Sequence, residues 1–155
     1  MKTDFDCIVL GLGGIGAAAA YWLARRAGGD VLGLEQFDLG HVRGASQDHS
    51  RIIRLSYHTP AYVALAKQAY SAWADVEADA GEKLIVKMGG RDLSPANSTI
   101  PLETYRASLT AEAVPFDDLD AAEVMRRWPA SPSFFSSSSC GITIVSSWKM
   151  IEALM

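Results

Sequence analysis

Three glycines and one acid carry the clearest chemistry in this chain. Gly11, Gly13 and Gly16 stand at G-x-G-x-x-G spacing, and Glu35 follows Gly16 by 19 positions. Gly11 permits a tight turn. Gly13 lacks a Cβ, so a pyrophosphate can approach the backbone there, and Gly16 allows the next element to pack closely. Gly14 and Ile15 lie in the same turn, where the start of a helix offers free N–H groups and a positive dipole end to phosphate. A carboxylate at Glu35, with Gln36 beside it, can accept hydrogen bonds from ribose hydroxyls. Together these residues are candidates for holding a dinucleotide.

That chemistry needs a strand–helix–strand frame, and the flanking residues supply one. Cys7-Ile8-Val9-Leu10 is a short β-rich apolar run, Ala17 to Arg26 has helix-forming composition, and Val31 to Leu34 is a second apolar run. Glycine-rich turns also occur in unrelated α/β domains. Here the preceding strand, following helix, second strand and terminal acid meet the context the motif requires. The charge-free run from Cys7 to Ala24 approaches the length of a membrane span. Its four glycines cluster in the turn, and Asp4 and Asp6 stand where a signal peptide would be basic. The segment is expected to be soluble.

From Gln36 to His49 the chain is polar and irregular, long for a simple connection and so suited to a functional loop. Arg43 in this loop, and Arg51 and Arg54 just after it, set a positive field in an acidic chain. Arginine grips phosphate or carboxylate in a bidentate fork. A cation near a flavin also stabilises the anionic reduced ring. On spacing alone, surface arginines in a solvated loop are an equal alternative.

Thr59-Pro60 predicts a helix start, with the helix running to about Asp79 and stopping at Gly81. Tyr62, Ala66, Ala69, Trp73 and Val76 recur at helical spacing and predict its packing stripe. Leu84 to Lys87 reads as a short strand. Pro101 to Ala111 and Asp120 to Trp128 read as helices, the second capped by Asp120 and ended before Pro129. Ser131 to Ser139 has no periodicity. Gly141 to Val145 is a candidate strand, and Trp148 to Met155 reads as the first turns of a helix.

The unit ending Leu34-Glu35-Gln36-Phe37, with His41, Gly44 and Ser50-Arg51-Ile52-Ile53-Arg54 through Tyr57, resembles the monomeric sarcosine oxidase family. These FAD-dependent amine oxidases include N-methyltryptophan oxidase and pipecolate oxidase. Lys87-Met88-Gly89 and Arg127-Trp128-Pro129 add to the resemblance, which covers roughly residues 4 to 130. It implies an α/β fold class, a Rossmann-like FAD/NAD(P)-binding βαβ domain that is incomplete relative to the family. Residues 1–130 would be the N-terminal part of the FAD-binding domain with the first substrate-domain elements, and 131–155 a divergent or truncated tail. Gly11, Gly13, Gly14, Ile15, Gly16, Glu35 and Gln36 would hold the ADP half of FAD. Arg43, Gly44, Ala45 and Ser46 would line the phosphates or the middle of the cofactor. Arg51 and Arg54 would lie beside the isoalloxazine ring or reach a substrate carboxylate, with Tyr57 near the amine pocket. The implied reaction oxidises a secondary or N-methyl amino acid through the flavin, with hydrolysis of the imine and formation of hydrogen peroxide from oxygen.

The family's chains are more than twice as long, so the short chain alone is expected to be inactive, with exposed apolar surface and marginal stability or self-association. A nicotinamide-dependent reductase would use the same glycines and Glu35 but leaves the arginines unexplained. A non-catalytic dinucleotide-binding module is a third reading. The net charge of -4 argues against nucleic acid as a partner. Cys7 and Cys140 form no CxxC, and His41, His49 and His58 lack helical metal spacing, so no metal site is expected. Cys7 reads as a small core residue. The default location is cytoplasmic, and Ala153-Leu154-Met155 makes a poor peroxisomal signal.

Overall fold

The computed structural model describes residues 2–47, 50–94, 98–129, 141–145 and 149–152. Two compact units divide the chain, residues 1–49 and 50–154.

The first unit is β1 (Cys7–Leu10), α1 (Gly14–Ala27) and β2 (Val31–Leu34). The strands pair in parallel, Cys7 opposite Val31 and Leu10 opposite Leu34. A parallel pair needs a crossover, and α1 is that crossover. The helix ends at Gly28 in the left-handed conformation, with Arg25 and Arg26 in its last turn complementing the dipole. It covers the face carrying Cys7 and Val9, which are half-buried. Alternation sends Ile8 and Leu10 to the other face, beside Leu34. These remain 57%, 79% and 46% exposed, so one side of this pair is bare aliphatic surface.

Among the described residues, the second unit holds two three-stranded antiparallel sheets. One combines β3 (Ser50–Ile53), β4 (Ile85–Lys87) and β8 (Lys149–Glu152) in the order β3-β8-β4. The other combines β5 (Gly90–Ser94), β6 (Phe116–Leu119) and β7 (Gly141–Val145) in the order β5-β7-β6. The last two strands in sequence therefore sit at the centres of both sheets. Lys149–Glu152 corrects the expectation of a helix over Trp148–Met155: these residues pair with both β3 and β4. Trp148 and residues 153–155 lie outside the described residues, as do Ser131–Ser139 and Cys140. Gly141–Val145 is the expected strand.

Among the described residues, three helices complete this unit: α2 (Pro60–Ala80), α3 (Leu102–Ala111) and α4 (Ala121–Arg127). Pro60 pre-sets the first turn of α2, and Gly81, in the left-handed conformation, returns its N–H to the Glu77 carbonyl. The packing stripe matches the expected one at Ala66, which is buried, and at Ala69, Trp73 and Val76, which are half-buried, but Val63 takes the place of Tyr62. Val63 and Ala66 are buried, whereas Tyr62 is 57% exposed. Val63 and Ala66 join Leu55, Leu109 and Val114 in the core, with Tyr57, Tyr70 and Phe116 packed against them. Val63 and Leu109 are fully buried, and each such side chain contributes about 1.5–3 kcal/mol. Glu77 fastens the end of α2 to β4: its Oε1 accepts from Leu84 N at 2.9 Å and Ile85 N at 2.8 Å. These donors and Lys83 hold the Glu77 carboxyl below the usual range, the Ile85 N–H foremost. Asp120 caps α4, accepting from Glu123 N at 2.8 Å.

Candidate functional site: a glycine turn closed by an acid

The turn after β1 is built as the glycine spacing predicts. Gly11 has φ +83, a left-handed conformation that disfavours a side chain, and its N–H donates to the Leu34 carbonyl at 2.7 Å. A Cβ on Gly16 would lie 1.8 Å from the Gly11 carbonyl oxygen, so only glycine lets α1 approach the turn. A Cβ on Gly13 would meet nothing within 4 Å. That open space leaves room for a group to approach the backbone there.

Glu35, just past β2, reaches back to this turn. Its Oε2 accepts from Leu12 N at 2.7 Å, and its Oε1 accepts from Gln36 N at 2.8 Å and Phe37 N at 3.2 Å. The Leu12 N–H foremost, then those of Phe37 and Gln36 and the nearby His41, lower its pKa against a raising effect of desolvation. The carboxylate is therefore anionic at neutral pH. A carboxylate has about four acceptor sites. Three are taken here, and the remaining one, on Oε2, suits a ribose hydroxyl. Leu10, Gly11, Leu34, Glu35 and Gln36 line a cleft of about 330 Å³ at the C-terminal ends of the two strands. Ligands of open α/β sheets bind at that end.

The loop after β2 folds back on the same turn. Ser46 Oγ accepts from Gly14 N at 3.2 Å. His41 Nδ1 accepts from Arg43 N at 3.0 Å, which places the proton of a neutral ring on Nε2, 3.6 Å from Glu35 Oε1. Arg43 stacks its guanidinium on Phe37, 4.6 Å from the ring centre. Thus Ser46 is brought to the glycine turn, while Arg43 lies on Phe37. Gly44 and Ala45 are exposed in the loop between them, and Ile15 is 90% exposed on the first turn of α1. Leu12 and His41 were not singled out as site residues from sequence. Leu12 acts through its backbone, which leaves no signature in residue type.

In the second unit, Arg54 stacks on Tyr57 with its guanidinium 5.1 Å from the ring centre. Arg51, on β3, donates to the Ser50 carbonyl at 2.9 Å. Tyr70 donates its hydroxyl to the Ile53 carbonyl at 3.0 Å. Burial, with a smaller effect of Tyr57, pushes the Tyr70 phenol up to about 12, so it stays a donor. Fully buried Ser56 donates to Asp92 Oδ2. Neither Ser56 nor Asp92 is visible as a site residue in the sequence, since 36 positions separate them.

A parallel strand–helix–strand with a glycine turn at the start of the helix and an acid just past the second strand defines a protein of the Rossmann class. The chain belongs to the FAD dependent oxidoreductase family, whose model matches residues 6–153. That match runs further than residues 4–130, on which the resemblance rests in sequence, and takes in the tail. FAD is the cofactor of this family. The chain is 42% identical over 130 residues to the monomeric sarcosine oxidase of Streptomyces avermitilis, covering 83% of this chain and 33% of that protein. It is 36% identical over 134 residues to the peroxisomal sarcosine oxidase of Mus musculus, with coverage of 83% and 33%. In structure it is similar to a variant of NikD, an unusual amino acid oxidase essential for nikkomycin biosynthesis, in its open form. The TM-score is 0.81 at 21% identity, covering 97% of this chain and 38% of that one, a likeness of fold alone. The chain thus spans about a third of the length of the curated relatives it matches.

Proposed function

We propose that the first unit binds the ADP half of FAD, and that the chain is the N-terminal portion of an oxidase acting on secondary or N-methyl amino acids. The observation that carries this reading is the Glu35 carboxylate, anchored on the glycine turn by Leu12 with one acceptor site left, beside a Gly13 that faces open space. Among the described residues, the N–H groups of Ile15 and Gly16 meet no protein acceptor and are available to a phosphate. These groups fit the ADP portion of FAD. When bound, the flavin supplies a two-electron acceptor that passes its electrons on to oxygen.

The remaining roles follow the family resemblance. Arg43, Gly44, Ala45 and Ser46 line the phosphates or the middle of the cofactor. Arg51 and Arg54 hold negative charge, on the flavin or on a substrate carboxylate, and Tyr57 orients the amine. The substrates are a small amine or amino acid and oxygen, the product hydrogen peroxide. The residues of this chain span about a third of the relatives' length, and by themselves they are expected to show no turnover. The proposed compartment is the cytoplasm. Among the described residues, no helix is long and apolar enough to cross a membrane.

The test is an absorbance spectrum of the purified chain before and after FAD, followed by desalting. Flavin that stays with the protein supports the reading. NADH retained in its place would overturn it in favour of a nicotinamide enzyme. Sustained peroxide production from N-methylglycine by the chain alone would overturn the claim of inactivity.

A further inference from the structure

We propose that Asp92 is a positioning residue that sets the Arg54–Tyr57 pair, holding Tyr57 in place through Ser56 and drawing Arg54 by its charge. Its relevance to substrate rests on the amine-oxidase reading; the coupling itself does not. The corner that follows β3 is clamped at two points. Tyr70 holds the Ile53 carbonyl at 3.0 Å, and Ser56, fully buried, donates its hydroxyl to Asp92. Asp92 is itself fixed by the β5 ladder, where it stands opposite Thr143 of β7. Ser56 directly precedes Tyr57, whose N–H closes a tight turn onto the Leu55 carbonyl at 3.0 Å. A side chain that fixes Ser56 therefore fixes the Tyr57 ring one peptide link away. The Arg54 guanidinium, which rests on that ring, is also drawn by the Asp92 charge.

The environment of Asp92 argues against an incidental contact. Burial raises its pKa, and the Ser56 hydroxyl and Arg54 charge offset this only in part. An unfavourably placed carboxylate that bonds the neighbour of Tyr57 and attracts Arg54 is the pattern expected of a functional group. A merely structural role for Asp92 would be filled as well by a neutral acceptor.

The experiment is 15N NMR of the side-chain Nε–H of Arg54 in the chain, with Tyr57→Leu marking the signal without ring-current shift. Asp92→Asn keeps an acceptor for Ser56 and removes the charge. Ser56→Ala keeps the charge and removes the link. Each is expected to lose more than half of the ring-current shift while circular dichroism stays that of the wild type. Glu77→Gln, which weakens the same unit elsewhere, is expected to retain it. A full ring-current shift in folded Asp92→Asn or in folded Ser56→Ala would overturn the proposal, and either variant suffices if the other fails to fold. The amine-oxidase reading is read separately, from the flavin absorbance of the FAD-loaded chain on adding N-methylglycine. A perturbation there supports that reading; FAD that washes off on desalting would sink it and leave the coupling standing.

Discussion

At the scale of single residues, the glycine turn makes opposite demands at neighbouring positions. Gly16→Ala would drive a Cβ into the Gly11 carbonyl, and the first unit is expected to lose its fold by circular dichroism. Gly13→Ala meets no atom, so its melting temperature should stay near the wild type while FAD retention falls. An equal loss of stability in both would contradict the assignment of open space to phosphate. Glu35→Gln keeps the size of the side chain but weakens the hold on Leu12 N and on a ribose hydroxyl. FAD affinity is expected to drop roughly tenfold to a hundredfold, the range for charge-assisted hydrogen bonds, measurable by fluorescence titration. Because the folded-state pKa of Glu35 is depressed, its stabilising effect is complete above the ordinary carboxylate value of about 4.3 and fades as pH falls through the lowered one. Thermal melts of wild type and Glu35→Gln should therefore converge in acid. Asp92 has the opposite sign: its raised pKa means wild-type stability declines as pH rises from the ordinary aspartate value of about 3.9 through the raised one. Melts of Asp92→Asn should lack that decline.

At the scale of elements, what could be read from sequence was what is local. The β1–α1–β2 unit is legible because its strands, turn and acid all fall between Cys7 and Glu35. The start and stop of α2 are legible from Pro60 and Gly81, and most of its packing face from Ala66, Ala69, Trp73 and Val76; only at the first turn do Tyr62 and Val63 compete, and there the packed partners decide. Gly90–Ser94 and Phe116–Leu119 escaped notice because aspartates sit in both, a residue that strands disfavour. Lys149–Glu152 has helix-forming composition and is pulled into a sheet by two partners far away in sequence. The same distance hid the Ser56–Asp92 contact. Where a cap is local, its effect is predictable: Asp120→Ala should destabilise α4 by about 1 kcal/mol, read by chemical denaturation of the chain.

At the scale of the whole molecule, the bare face of Ile8, Leu10 and Leu34 is the dominant liability. Parallel sheets are normally covered on both sides. The chain is expected to associate as its concentration rises, and Leu10→Gln with Leu34→Gln to remain monomeric, as sedimentation velocity would show. A monomeric wild type at all concentrations would refute this. The central placement of β7 and β8 has a consequence for biosynthesis. The ribosome delivers β3 and β4 long before the strand that joins them, and β5 and β6 before theirs. At translation rates of about 5–20 residues per second, the hundred-odd residues from β3 to β8 leave the early strands waiting roughly 5–20 s. The first unit can close as soon as residue 35 emerges. The second can close only after the message has been read almost to residue 152, so a nascent chain is sheltered in its first third and open to chaperones in the rest.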